Sequence, residues 1–172
     1  MTVAWGITGA GHLLRECVNL IAELGEVDVF LSRAAEEVLR MYRLDGDLRR
    51  AAQAVVRDTL ASAPIVGRFA RARYRVLVVA PATSNSVAKF VYGISDSLIT
   101  NLFAQAGKNR VPIVVLPTDV APAMDTVAPG GNVIKVYPRE VDLENTARLR
   151  RLPGVTVVED VEGLRKCLTT CL

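Results

Sequence analysis

Apolar positions in this chain arrive as short unbroken runs that alternate with stretches of helical spacing. Val76-Leu77-Val78-Val79-Ala80 is such a run, the pattern of a strand buried on both faces of a parallel sheet. Thr2 to Ile7 and Val27 to Leu31 read as earlier strands. Val111 to Leu116, Val133 to Val136 and Val155 to Val158 read as later ones. Leu13, Leu14, Cys17, Val18, Leu20 and Ile21 mark one face of a helix closed near Gly25. Ala34 to Tyr42 predicts a second helix and Val161 to Leu168 a closing one. Residues 44–75 predict a long crossover, helical from Leu48 to Leu60 and broken at Ala63-Pro64. Ile65 to Phe69 then connects, and Arg71 to Arg75 leads into the central strand. One helix is predicted behind that strand, with Val87, Ala88, Val91, Ile94, Leu98 and Ile99 as its apolar positions and its end at Gly107. The alternation predicts an α/β fold, an open, mostly parallel sheet covered by helices, as a single domain over residues 1–172.

Composition narrows the class of function. The chain has 172 residues, 51% hydrophobic with little aromatic content, enough for a substantial core. It has no apolar run long enough to span a bilayer and no basic-then-apolar leader, so a cytoplasmic protein is expected. The net charge is +3, with arginines at positions 68, 71, 73 and 75 and again at 148, 150 and 151. Only Phe69 and Tyr74 alternate with them, so the pattern reads as a solvated face rather than a nucleic-acid surface. The three cysteines (Cys17, Cys167 and Cys171) and the single histidine, His12, supply neither a disulfide framework nor a metal-ligand set.

The candidate chemistry gathers at the carboxyl ends of the predicted strands. Pro81 is expected to stop the central strand, since it has no N–H to donate. Behind it come Thr83, Ser84, Asn85 and Ser86, just where a helix begins. One helix cap needs one such residue. Four of them suit a ligand lying outside the strand ends, near free helical N–H groups. Thr8, Gly9, Ala10 and Gly11 form a glycine-rich turn after strand one, with the spacing G-x-x-G-x-G. Such a turn either cradles phosphate or simply packs tightly. Ser32 and Arg33 follow strand two, Ser32 as a ligand for a single phosphate or a helix cap and Arg33 as a partner for the 2′-phosphate of NADP. Pro117 to Met124 predicts a stiff loop on the same rim. No Ser-His-Asp set or carboxylate pair is evident, although Asp96 and Asp119 lie near the rim. A good pocket with few acid–base groups is the profile of a protein whose cofactor carries the reaction. Thr8, Ser32, Thr83, Ser84, Asn85, Ser95, Ser97, Thr100 and Asn101 suit a phosphate, a ribityl chain and the edge of a flavin ring.

The combination of TGAG after strand one, LSR after strand two and PATSNSVAKFVYGISDSLITN resembles the flavoprotein family that contains the flavin-dependent cysteine decarboxylases. The likeness covers essentially the whole chain. Residues 81–86 stand at the family's PASANT segment, and Pro122-Ala123-Met124-Asp125 at its PAMN segment. The resemblance implies a Rossmann-like fold with helices on both faces, FMN as cofactor and a homo-oligomer built from trimers. The decarboxylases carry a catalytic histidine between strand two and the central strand, where this chain has none, and Asp125 replaces their asparagine. The AWGITGAG and SNSVAKFVYGISDSLITN wording is closer to the archaeoflavoprotein and dihydromethanopterin reductase branch. That branch implies an FMN-dependent reductase acting on dihydromethanopterin, with ferredoxin or reduced nicotinamide as electron donor. The alternatives are a ferredoxin-linked electron-transfer flavoprotein without its own substrate, or a cysteine decarboxylase or prenyl-flavin-type synthase. By resemblance Gly9, Ala10, Ser32, Thr83, Ser84, Ser95 and Thr100 would hold FMN. Asn85 would reach the ring edge or the substrate, and Asp96 is a candidate for acid–base work.

Overall fold

A computed structural model describes residues 2–59 and 73–171. Six parallel strands form one sheet: β1 (Thr2–Ile7), β2 (Val27–Leu31), β3 (Ala54–Arg57), β4 (Tyr74–Ala82), β5 (Ile113–Pro117) and β8 (Val155–Val157). Their order is β3-β2-β1-β4-β5-β8. The chain builds outward from β1 to one edge and then outward from β4 to the other. The switch point of the sheet therefore lies between β1 and β4, the place where open α/β sheets bind ligands. This is the α/β Rossmann-like arrangement.

Alternation within the strands assigns each face its core. Val3, Trp5 and Ile7 of β1 join Val27, Val29 and Leu31 of β2 and Val76, Val78 and Ala80 of β4 on one side. That side is covered by α1 (Leu14–Leu24), α2 (Arg33–Met41), α3 (Asp45–Ala51) and α7 (Val161–Cys171). Ala4, Phe30, Leu77 and Val79 point to the other side, under α4 (Ser84–Tyr92), α5 (Leu98–Lys108) and α6 (Glu140–Leu149). With helices on both faces, the central strands carry apolar side chains at nearly every position. The Trp5 indole N–H donates to the carbonyl of Ala80 at 2.7 Å, so even its one polar atom is satisfied inside the core.

Several expectations are corrected. Pro81 does not end the central strand. β4 continues to Ala82, which pairs with Pro117 of β5 past a shift in register after Val79. The missing N–H is tolerated because the Pro81 carbonyl still accepts from the Thr8 N–H at 3.2 Å. The predicted single helix behind β4 is two helices. Gly93, at φ 70°, ends α4, and Ser97 starts α5 with a reciprocal capping box to Thr100. The second of these ends at Lys108 rather than Gly107. The helix expected from Leu48 to Leu60 is α3, which already starts at Asp45 and stops at Ala51, and β3 follows as an edge strand paired with β2. Leu60, the break at Ala63-Pro64 and the segment from Ile65 to Phe69, with Arg68 and Arg71, lie outside the described residues. Val133 to Val136 is a strand (β7), but it pairs antiparallel with β6 (Met124–Val127) in a separate hairpin and is no part of the main sheet. Helix α6 has no counterpart in the sequence reading. Its buried positions include Asp142, Asn145 and Thr146, which hide the apolar period. No helix among the described residues is long and apolar enough to cross a membrane.

Candidate functional site

The strand ends deliver their polar residues to one cavity of about 590 Å³, within the size range of small-molecule sites. β1 contributes Thr8 and Gly9, β2 contributes Ser32 and Arg33, and β3 contributes Asp58 and Thr59. From the far side of the switch point come Thr83, Asn85, Ser86 and Lys89. The loop between α4 and α5 and the start of α5 add Asp96, Ser97 and Asn101.

The floor of this cavity is locked by hydrogen bonds between β1 and β4. The Thr8 hydroxyl donates to the Pro81 carbonyl at 2.9 Å and accepts from the Thr83 N–H at 2.8 Å. Thr8 is buried, and its hydroxyl is spent on this cross-link. Thr83 caps α4: its Oγ accepts from the Ser86 N–H at 3.3 Å and lies 3.0 Å from the Ser86 hydroxyl. Ser32 caps α2, its Oγ accepting from the Ala35 N–H at 3.1 Å. Gly9 lies against the first turn of α2 so closely that a Cβ there would stand 2.5 Å from that of Ala34. Its missing side chain lets the loop and helix meet and keeps the backbone at the cavity wall bare.

Four charged side chains line the cavity, and two of them neutralise each other. Lys89 Nζ lies 2.8 and 2.7 Å from the two Asp96 oxygens, and this hydrogen bond holds the Asp96 carboxyl below its usual range. Arg33 and Asp58 make no side-chain hydrogen bond or ion pair to any described residue. Among the described residues the cavity therefore offers one uncommitted cation and one uncommitted anion amid hydroxyls and carboxamides.

Other candidate residues stand apart from this wall. Thr100 is buried in the capping box with Ser97. Ser84 is the first residue of α4, and Ala10 is buried behind the glycine turn. Ser95 lines a smaller pocket of about 320 Å³ that shares Lys89 with this wall. Gly11 lines a third cavity with His12, closed by the Tyr42 ring, whose hydroxyl donates to the Val127 carbonyl at 2.8 Å. Burial lowers the pKa of His12 there, and Glu16 and Asp119 partly oppose it. Asp119, like the rest of the loop over residues 117–124, does not line the first cavity; its carbonyl accepts from the Thr146 hydroxyl of α6 at 3.0 Å. Cys17 is a core residue whose thiol is pushed up by burial. Among the described residues no cluster of His, Cys, Asp and Glu is arranged to hold a metal.

Three polar residues of the wall were not singled out by sequence reasoning: Asp58, Thr59 and Lys89. Asp58 and Thr59 fell inside a segment read as helix, and the run of β-branched residues Val55-Val56 was the available signal for a strand ending there. Lys89 fell on an apolar helical pattern, and only its spacing of seven from Asp96 hinted at the pair.

The donor set fits a flavin mononucleotide in kind: an open arginine for a phosphate, hydroxyls for a polyol and amides for a heteroaromatic edge. Comparison with known proteins points the same way. The chain is 43% identical to a dihydromethanopterin reductase (acceptor) of Methanocaldococcus jannaschii over 69% of its length, and 41% identical to that of Methanosarcina mazei over 88%. It spans 54% and 65% of the lengths of those two proteins. The crystal structure of Burkholderia xenovorans DmrB in complex with FMN, described as a cubic protein cage for redox transfer, superposes with a TM-score of 0.89. It is 40% identical, covering 98% of this chain and 93% of that one. The Flavoprotein family model matches residues 1–170, and on that match the chain belongs to the flavoprotein family.

Proposed function

We propose that this protein is an FMN-dependent oxidoreductase that passes reducing equivalents to dihydromethanopterin or a closely related dihydropterin in the cytoplasm. The observation that carries the reading is the cavity at the β1–β4 switch point, with its uncommitted Arg33 among hydroxyl and amide donors. Two-electron transfer is the chemistry FMN supplies when bound. Arg33, at the start of α2, meets the phosphate dianion beside the N-terminus of that helix. The hydroxyls of Ser32, Ser86 and Ser97 serve the ribityl chain. Thr8 and Thr83 fix the wall, and Thr100 acts through Ser97. Asn85, exposed in the first turn of α4, presents its amide to the ring edge or to the substrate. The ion pair with Lys89 makes Asp96 a tether for the α4–α5 loop rather than an acid or base.

We further propose that the protein assembles into a homo-oligomer built from trimers. Val127, Val133, Ile134, Val136 and Tyr137 of the β6–β7 hairpin region are 36–71% exposed, an apolar surface that association between copies would cover. The two reductases and the FMN complex of DmrB support the first part of the reading, and the DmrB cage supports association between copies.

The test is an anaerobic single turnover. FMN-loaded protein reduced beforehand is mixed with a 7,8-dihydropterin in one arm and with an oxidised ferredoxin in the other. Reoxidation by the dihydropterin, one equivalent per flavin, is expected. Reoxidation by ferredoxin alone overturns the substrate assignment in favour of a pure electron carrier.

A further inference from the structure

The third cavity, of about 530 Å³, has no place in the functional reading so far. It lies beside the glycine turn, between the start of α1, the Tyr42 ring and the β6–β7 hairpin. Gly9 lines the first cavity and Gly11 this one. Two residues span at most about 7 Å, so the two cavities share that turn as a wall. A Cβ at Gly11 would collide with the Tyr42 hydroxyl, so this glycine serves the closure of the third cavity.

Four titratable or charged side chains reach it: His12 just before α1, Arg15 and Glu16 in its first turn, and Asp125 on β6. None makes a side-chain hydrogen bond or ion pair to a described residue. Burial, opposed by Glu16 and Asp119, favours the neutral form of the His12 imidazole. One cation then faces two carboxylates. Such a wall disfavours a dinucleotide or any other anion and suits a neutral ligand with adjacent N–H donors. Of the two carboxylates, Asp125 stands opposite Lys135 across the hairpin, where opposite charges attract. Glu16 has no lysine or arginine three or four residues away on its helix, the spacing at which helical side chains meet.

A 2-amino-4-oxopyrimidine, the ring half common to pterins, presents its 2-amino group and N3–H side by side, with the 4-oxo acceptor next to them. A carboxylate accepts both donors as a fork, and a guanidinium donates to the oxygen beside it. That edge is remote from the C6=N5 bond that is reduced. Tyr42, Leu13 and Pro129 add flat and apolar sides for the ring.

Resting on the reductase reading, we propose that the third cavity is the dihydropterin site, with Glu16 accepting from the 2-amino and N3 N–H groups and Arg15 donating to the 4-oxo oxygen. The C6=N5 end of the ring is left to face the first cavity across the shared turn.

The experiment reads binding apart from turnover. Oxidised, FMN-loaded protein is titrated anaerobically by calorimetry with a 7,8-dihydropterin and with its analogue lacking the 2-amino group. The wild type is expected to prefer the amino compound by roughly tenfold or more. In Glu16→Gln the affinity for it falls roughly 10–100-fold, the size of hydrogen bonds to a charged group, and most of the preference is lost. FMN affinity stays within about twofold, which separates the effect from a fault in folding. Glu16→Asp keeps part of the preference. In steady state Glu16→Gln raises KM and leaves kcat within about twofold. An unchanged preference in Glu16→Gln, or a dihydropterin that competes with FMN for the apoprotein, overturns the proposal and leaves the reductase reading standing. A wild-type protein that neither binds nor reduces the dihydropterin overturns both.

Discussion

Thr8 at the end of β1 and Thr83 at the end of β4 are joined across the switch point, the Thr83 N–H donating to the Thr8 hydroxyl at 2.8 Å while that hydroxyl donates to Pro81 at 2.9 Å. One buried side chain thus fixes the separation of the two strand ends that frame the cavity. Thr8→Val keeps the shape but leaves the Thr83 N–H without its partner, while the Pro81 carbonyl keeps only the backbone N–H of residue 8. A loss of about 1–3 kcal/mol is expected, read as a fall of several degrees in Tm, with weaker FMN binding. Thr8→Ser is expected to lose much less.

Gly9→Ala places a methyl group 2.5 Å from the Ala34 Cβ. Both atoms are carried directly by backbone, so the loop and α2 must separate. Overpacking of this kind costs about 1–3 kcal/mol, and the displaced α2 terminus carries Ser32 and Arg33 with it. FMN affinity, followed by quenching of flavin fluorescence, is expected to fall on the order of tenfold or more, since misplacing site groups by about 1 Å has effects of that size.

The Lys89–Asp96 pair has a defined pH window. The hydrogen bond from Lys89 lowers the folded-state pKa of Asp96 below its model-compound value of 3.8. A carboxylate depressed on folding contributes stability at pH values above the unfolded pKa and loses that contribution as pH falls through the folded pKa. The tether on the α4–α5 loop therefore holds throughout the neutral range and releases only in acid. The Asp96 side-chain carboxyl carbon, followed by NMR, is expected to titrate below pH 3.8. In Lys89→Met the midpoint moves upward, and an unmoved midpoint contradicts the pairing.

Asn85 is exposed on the wall and takes no part in capping α4, a role that belongs to Thr83. Asn85→Ala is expected to change stability by no more than about 0.5 kcal/mol, as for other exposed sites. Single-turnover reoxidation by a dihydropterin is expected to slow at least several-fold. Equal rates in the two proteins remove Asn85 from the site.

Much of this was legible in the sequence because strands buried on both faces write themselves as apolar runs. The bounds of β1 and β2 and the position of the central strand follow from such runs, and the polar clusters directly behind them mark the rim. The parts that were not legible have physical reasons. β3 is an edge strand of Ala-Val-Val-Arg, too short to carry a period, and the helical spacing from Leu48 to Ala51 ran on into it. Pro81 reads as a terminator because a proline lacks one hydrogen-bond donor, yet its carbonyl still serves β1. A single glycine within a helical pattern does not by itself mark an end, yet the left-handed Gly93 and the Ser97–Thr100 capping box together separate α4 from α5. Helix α6 buries Asp142 and Thr146 by giving them partners in Arg139 and Asp119, so its inward face is polar and escapes any hydrophobic count. The Lys89–Asp96 pair spans the α4–α5 break, and a continuous helix would have hidden its geometry.

The central claim, that the switch-point cavity holds FMN with its phosphate at Arg33, is tested most directly by titrating apoprotein with FMN and with riboflavin, using the wild type and Arg33→Gln. The account predicts one FMN per chain in the wild type. In Arg33→Gln, FMN binding weakens by roughly 10–100-fold, the size of a hydrogen bond to a charged group, and riboflavin binding is unchanged. A wild-type protein that binds no FMN, or an Arg33→Gln protein that binds FMN as tightly as the wild type, contradicts it.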